Sequence, residues 1–213
     1  MTAPTADTRE YLVVHESLRV TLGRFVDATA RLDPAKLAAV LGSRWALFSR
    51  ALHHHHEVED GDFFPLVKSK RQDAASLVDR LEREHVDLVT RLDAVDAAIS
   101  ALEASPSAAT KERVHDSIKT VRDELVPHLD VEDKELLPVA AEAISDEVWK
   151  QMSEKAFRSV PKKDLPIVAG VMDEVVRSLP VERRPPPPPL IVRALIVLSW
   201  RKRYAKFIEP LVA

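Results

Sequence analysis

Several residue types are missing or scarce in this chain of 213 residues. Cysteine is absent, which excludes disulfides, iron–sulfur clusters and thiol redox switching within the chain. Glycine occurs only four times, aromatic residues make up 5% of the chain, and apolar residues seldom alternate with a period of two. Together with the many Ala, Leu, Arg and Glu residues, these features predict an all-α protein.

Long apolar runs and a strong excess of one charge are also missing. No apolar run approaches the roughly 18 residues of a membrane span. Residues 1–10 lack the basic and then apolar pattern of a secretion signal. The formal net charge is -3, with acidic and basic residues interspersed. We therefore expect a cytoplasmic protein without a nucleic-acid partner or a membrane span. Docking of the basic segment 201–206 on a membrane surface is the lesser alternative.

One sequence frame occurs twice, at residues 55–65 and again at residues 128–138. Each copy reads His, three residues, Glu-Asp, two residues, two apolar residues and Pro. In a helix, a His and a Glu four residues apart lie on one face, where both side chains can bind a shared metal ion. Two such pairs from two helices would form one half of a site for two metal ions.

The second copy decides which histidine of the first copy belongs to the frame. At a spacing of four, His55 pairs with Glu59 and His56 pairs with Asp60. The position that matches His56 in the second copy is Leu129, which cannot bind a metal ion. The repeated pair is therefore His55 with Glu59.

Apolar residues at three- and four-residue spacing predict four long amphipathic helices. We expect them over residues 7–31, from Pro34 or Ser43 to Gly61, over residues 69–103, and after a turn at residues 105–107. Two single histidines, His15 and His85, lie on the apolar stripes of the first and third helices. Pro127 lies within the fourth pattern and predicts a kink.

The helical pattern predicts two parts of the chain. Residues 1–144 are expected to form an antiparallel, up-and-down four-helix bundle, and residues 145–213 a helical C-terminal extension. Within the extension, residues 185–189 are five consecutive prolines, which are typical of a stiff linker. We expect the apolar segment after the prolines to pack against the bundle.

Six ionisable residues occupy core-facing positions of the four predicted helices: His15, His55, Glu59, His85, His128 and Glu132. Burying unpaired carboxylates costs several kcal/mol each, so the set requires a compensating partner. Imidazole and carboxylate ligands without thiolate suit iron, manganese or zinc. Four histidines and two glutamates in a bundle core predict a site for two metal ions.

Four further residues lie beside the predicted ligands. His56 is a candidate alternative ligand, although adjacent helical residues point about 100° apart. Tyr11, one turn before His15, is a candidate hydrogen-bond donor near the metal ions. Asp60 and Asp133 are expected to be surface charges.

The order His, His-x-x-x-Glu, His, His-x-x-x-Glu, with two apolar residues and Pro after each Glu pair, resembles the hemerythrin-like family over residues 8–142. The resemblance implies a four-helix bundle with two iron ions in a non-haem diiron centre bridged by an oxo or hydroxo group. By position, it assigns the six core residues as the iron ligands. The chain departs from the oxygen carriers of the family at Val89, where those carriers have a second histidine on the third helix.

The missing histidine predicts a more open iron near Val89. The resemblance then implies reaction with a small oxidant, most concretely disproportionation of hydrogen peroxide, as in a catalase, in defence against oxidative stress. One alternative is a non-catalytic sensor that binds oxygen, nitric oxide or iron and signals to a protein partner through the extension. Storage of oxygen or iron is another alternative.

Overall fold

A computed structural model describes residues 6–213, and the first five residues of the expected bundle lie outside this range. The described residues form helices and no strand, which confirms the all-α class. The helices are α1 (Arg9–Arg31), α2 (Pro34–Val58), α3 (Phe64–Lys70), α4 (Ala75–Ala104), α5 (Ala108–Val131), α6 (Leu137–Ala143), α7 (Asp146–Ser159), α8 (Leu165–Ser178), α9 (Leu190–Leu195) and α10 (Arg201–Val212). Shorter 3-10 turns lie at Gln72–Ala74 and Val181–Arg183, and π-helical turns at Glu59–Phe63, Glu132–Leu136 and Ile196–Trp200.

Helices α1, α2, α4 and α5 form the bundle, in which α1 and α4 each contact both α2 and α5. The second helix begins at Pro34, because the side chain of Asp33 accepts a hydrogen bond from the amide of Lys36. The third long helix begins at Ala75, later than expected, because residues 64–70 form the separate helix α3. Pro127 lies inside α5, which continues to Val131.

Both copies of the repeated frame contain a π-helical turn that begins at the frame's glutamate. The amide of Phe64 donates to the carbonyl of Glu59, and the amide of Leu137 donates to that of Glu132. The second residue after each turn is a proline, Pro65 or Pro138, which cannot donate to the carbonyl four residues before it. A wider turn that begins at each glutamate therefore separates α2 from α3 and α5 from α6. Such π turns are frequent at functional sites.

The C-terminal extension packs on the bundle through α8 and α10. The expectation that the apolar segment directly after the prolines packs there is wrong, since Leu190, Ile191 and Leu198 are at least 75% exposed. Helices α8 and α10 contact α1, and α10 also contacts α2. Tyr204, Ile208 and Leu211 of α10 belong to the apolar core that fills the bundle. Arg24 of α1 donates to Glu174 of α8 at 2.8 and 2.9 Å and also to the hydroxyl of Tyr204. The extension therefore shares a core and an ion pair with the bundle.

Two apolar clusters fill the interior at different heights. The first contains Leu52, Leu88 and Leu125 of the bundle. The second contains Phe63 and Leu136, which lie in the two π turns. The buried histidines and glutamates lie between these clusters, since residues 52 and 63 flank them on α2 and its π turn. None of the helices in residues 6–213 combines the length and the apolar character that crossing a membrane requires.

Candidate metal centre

The structure brings all six predicted ligands together at one height of the bundle. His15 lies on α1, His85 on α4, and the two His and Glu pairs on α2, α5 and the π turns that follow them. Five of the six are at most 3% exposed, and the side chain of His55 is 10% exposed. Helical spacing therefore places four imidazoles and two carboxylates in a nearly water-free interior.

One group of four donors comes from α1, from α2 and from the π turns that follow α2 and α5. The Nε2 atoms of His15 and His55 are 3.0 Å apart. Glu59 Oε1 lies 3.2 Å from His55 Nε2, and Glu132 Oε2 lies 3.5 Å from His15 Nε2. The ligand atoms of these four residues are all within 4.8 Å of one another, which is close enough for a shared metal ion.

A second group consists of three histidines, His56, His85 and His128, whose ring nitrogens also lie within 4.8 Å of one another. Nε2 of His85 lies 3.1 Å from Nε2 of His128. The ring of His56 stacks on that of His85, with the centroids 3.9 Å apart and the planes 9° apart. Two donor groups are thus present, as a dinuclear centre requires.

His56 corrects the expectation of an open position near Val89. The second histidine of the third helix is missing, and Val89 is 39% exposed. The third imidazole of this group comes instead from α2. Adjacent residues differ by about 100° around a helix. His55 therefore points toward the four-donor group, and His56 points toward the group of three histidines. The repeated frame gave no sign of this, since Leu129 occupies the matching position in the second copy and packs in the apolar core.

The two glutamates connect the groups, because each directs one oxygen to each of them. Glu59 Oε1 faces His55, and Oε2 lies 3.6 Å from His85 Nε2. Glu132 Oε2 faces His15, and Oε1 lies 3.4 Å from His128 Nε2. This arrangement suits carboxylates that bridge two metal ions.

Several buried polar atoms at the centre lack hydrogen-bond partners among the described residues. They are Glu59 Oε2, both carboxylate oxygens of Glu132, and His56 Nε2. Buried carboxylate oxygens without partners are costly, by several kcal/mol per charge, unless a cation compensates them. The donors present therefore fit two divalent or trivalent metal ions better than they fit a purely structural core.

Three outer carboxylates hold the Nδ1 atoms of the histidines. Asp133 accepts from His15 at 2.7 Å, Asp60 from His85 at 2.8 Å and Glu84 from His128 at 2.8 Å. The expectation of a surface charge is wrong for Asp133, which is only 15% exposed. Asp60 is 45% exposed, as expected of a surface charge, but it also binds His85. Both aspartates follow a frame glutamate, so the repeated Glu-Asp dipeptide was the signal for them.

Burial and these contacts separate the pKa values of the histidines. Burial lowers the pKa of His55 to about 3. Burial also lowers the pKa of His56 well below its ordinary value. For His15 burial acts in the same direction, but the hydrogen bond to Asp133 and the nearby Glu59 outweigh it and raise the pKa to about 9. Neutral imidazoles at His55 and His56 are available as ligands, whereas metal binding at His15 must displace a proton.

Tyr11 contacts the four-donor group. Its hydroxyl donates to Glu59 Oε1 at 2.5 Å, and its ring lies 4.3 Å from the ring of His15. Burial and the nearby glutamates raise the pKa of Tyr11 well above its ordinary value. The hydroxyl therefore stays protonated at neutral pH and holds Glu59 in position.

An apolar cavity of about 210 Å³ reaches the four-donor group. Tyr11, His55 and Glu59 line one end of it. Its outer wall is formed by the extension, through residues of α7, α8 and α10 such as Trp149. None of the three histidines of the second group lines this cavity. The four-donor group is therefore the one that a molecule in the cavity can reach.

The fold and the centre define a helical metal-binding protein with two adjoining donor groups. A sequence model described as the hemerythrin HHE cation binding domain matches residues 8–140. The chain belongs to this family, since the match spans more than half of its length. No curated protein and no solved structure matches the chain significantly. A general role in cation binding follows from the family and from the two donor groups.

Proposed function

We propose that the chain holds two iron ions and disproportionates hydrogen peroxide, as a cytoplasmic defence against oxidative stress. His15 and His55 would hold one ion, His56, His85 and His128 the other, and Glu59 and Glu132 would bridge the two. Zinc and manganese accept the same donors, so the choice of iron rests on the family resemblance.

The observation that carries the proposal is the unequal number of imidazoles in the two groups. The group of His15 and His55 has two, and the other group has three. With the bridging carboxylates shared, the first group has fewer donors and so leaves more room for a small molecule. His55 and Glu59 of this same group line the cavity. The donor group with fewer ligands is therefore also the group that a molecule in the cavity can reach.

Disproportionation suits this chain because it needs no further reactant. One peroxide is oxidised to O2 while a second is reduced to two waters, and a pair of iron ions held by these residues would supply the two-electron exchange. The chain has no cysteine that could act as an internal reductant. Tyr11 contributes a neutral hydroxyl at the edge of the cavity, where it keeps Glu59 in its bridging orientation.

A second candidate function is favoured by the apolar walls of the cavity. Oxygen and nitric oxide enter apolar spaces more readily than peroxide does. The extension supplies one wall of the cavity. A molecule that binds there and shifts Glu59 or Trp149 would move α7, and a protein partner of α7 would detect this movement. In this alternative the chain is a sensor without turnover.

Oxygen evolution from the purified, iron-loaded protein tests the proposal. We expect one O2 for every two peroxide molecules consumed, at a rate above that of free iron at equal concentration. A rate no greater than that of free iron would contradict the peroxide reaction. Changes in the visible spectrum on adding O2 or nitric oxide, without peroxide turnover, would favour the sensor.

A further inference from the structure

The cavity next to the metal centre is long as well as apolar. Along α1 it is lined from Tyr11 to Phe25, and along α2 from Arg44 to Glu59. At about 1.5 Å per residue, each wall is roughly 20 Å long. The metal centre occupies one end, and the other end lies against Phe207 of α10.

The size and walls of the cavity suit a hydrocarbon. Its volume is about 210 Å³. An apolar cavity of about 150 Å³ stays dry and accepts benzene, so this one has room for a larger apolar molecule. Side chains along its middle, such as Val14, Leu47 and Met152, offer no hydrogen bonds. The space therefore favours a molecule with a long apolar body.

One cation faces the end that is distant from the metal centre. Arg44 donates from Nε to the carbonyl of Phe207 at 2.6 Å and from Nη1 to that of Val40 at 2.7 Å. Within residues 6–213, no carboxylate lies within ion-pair distance of Arg44, and its Nη2 has no hydrogen-bond partner. The other arginine of the lining, Arg50, is paired with Asp164 at 3.1 Å. Burial lowers the pKa of Arg44, as expected for a guanidinium without a counter-ion.

The acidic groups of the lining that have no arginine or lysine partner lie at the opposite end, since Asp164 is paired with Arg50. Glu10 and Glu59 line the cavity near the metal centre. In the metal-free protein, an anion is therefore attracted to the end at Arg44 and repelled from the end at Glu59. A ligand that matches this distribution has one anionic head and an apolar tail.

We propose that the cavity binds a linear aliphatic carboxylate, with its carboxylate on Arg44 and its methyl end toward Tyr11 and His55. Arg44 and His55 are 11 residues apart on α2, which corresponds to about 16 Å. An extended chain advances roughly 1.2 Å per bond, so a chain of about 12 carbons is about 13 Å long and covers most of this distance. This binding goes beyond the peroxide reaction and does not require the metal ions.

Titration calorimetry of the full chain with monomeric dodecanoate tests the proposal. Metal-free and metal-loaded protein are both titrated, so that the result is independent of peroxide turnover. We expect one site per chain, a quench of the fluorescence of Trp149, and weaker binding of hexanoate. Equal affinity for dodecanol would overturn the role of the carboxylate.

Matched variants test the position of the ligand's carboxylate. Arg44→Gln is expected to weaken dodecanoate binding at least 10-fold, whereas Arg203→Gln, at an exposed arginine outside the cavity, leaves the affinity unchanged. Equal affinities of the two variants would show that the carboxylate does not bind Arg44. This holds also if the carboxylate binds the metal ions instead.

A second pair of variants tests the path of the chain and does not depend on Arg44. Ala51 lines the cavity between its two ends, and Ala46 is exposed on the same helix. Ala51→Leu is expected to weaken binding at least 10-fold by filling the space, while Ala46→Leu has no effect. Unchanged binding in Ala51→Leu would place the ligand outside the cavity and overturn the proposal.

Discussion

Nδ1 of His15 donates a hydrogen bond of 2.7 Å to the carboxylate of Asp133, in the π turn that follows α5. The other half of the bundle repeats this contact, since His85 donates to Asp60 in the π turn that follows α2. Each single histidine is therefore held by the aspartate of the opposite copy of the frame. A carboxylate on Nδ1 fixes the tautomer and directs Nε2 into the centre, where it can bind a metal ion.

Replacing Asp133 by asparagine removes the charge that holds His15. We expect Asp133→Asn to weaken metal binding by about 10- to 100-fold, because partners behind a metal ligand orient it and raise its basicity. Competition with a chelator of known affinity measures the change. Asp130→Asn is the matched control, since Asp130 also accepts from Arg19, at 2.9 Å, but has no hydrogen bond to His15. Equal losses in the two variants would assign the effect to Arg19 instead of His15.

His56→Leu tests whether the second donor group needs its third imidazole. Leucine occupies the matching position 129 in the second copy of the frame and is fully buried there, so we expect the fold to persist. Metal analysis should show a loss of about one ion per chain. His53→Leu, at a histidine outside both donor groups, should keep the full content. Two tightly bound ions in His56→Leu would show that the six residues predicted from the sequence are a complete ligand set.

The packing of the extension on the bundle depends on a close approach at Gly170. A Cβ atom at this position would overlap Cβ of Tyr204, which cannot move without shifting α10. We therefore expect Gly170→Ala to destabilise the protein by about 1–3 kcal/mol.

Gly23→Ala is the control, because a Cβ there meets nothing within 4 Å. Since alanine favours a helix interior by about 1 kcal/mol over glycine, Gly23→Ala should stabilise the protein. Urea unfolding that ranks the two variants in the reverse order would contradict the close contact between α8 and α10.

The ion pair between Arg24 and Glu174 makes the attachment of the extension dependent on pH. Hydrogen bonds from Arg24 and Tyr204 lower the pKa of Glu174 below its ordinary value of 4.5. A lowered pKa in the folded state contributes stability that is fully present above 4.5 and disappears as the pH falls through the lowered value. We expect Glu174→Gln to be less stable than the parent chain at about pH 7, and we expect the difference to be smaller at about pH 3. Glu182→Gln, at an exposed glutamate, is the control and should have the same stability as the parent chain at both pH values. A loss of stability in Glu174→Gln that is independent of pH would contradict the role of the ion pair.

The sequence predicted the parts of the centre that depend on spacing within one helix. A spacing of four residues places His55 above Glu59 and His128 above Glu132 in any α-helix, so the repeat was enough to bring them together. The role of His56 was not predictable from the repeat, because Leu129 breaks the symmetry at that position. Asp60 and Asp133 reach across to the other half of the bundle, and their partners depend on how the halves pack.

The cavity could not be predicted from the sequence either. It forms only where α7, α8 and α10 cover α1 and α2, and no local pattern specifies that arrangement. The late start of the third long helix has a similar cause, since Phe64 and Val67 are buried against the second apolar cluster and draw residues 64–70 into a helix of their own.

The metal content of the purified protein tests the central claim most directly, together with a visible spectrum recorded before and after peroxide is added. Two donor groups joined by Glu59 and Glu132 predict about two metal ions per chain. The proposed function predicts that these ions are iron, with absorption bands that change on adding peroxide and recover as O2 evolves. Zinc in place of iron would contradict the proposed chemistry. A protein that folds stably and binds no metal would contradict the centre itself, because the unpartnered carboxylate oxygens of Glu59 and Glu132 would then need another explanation.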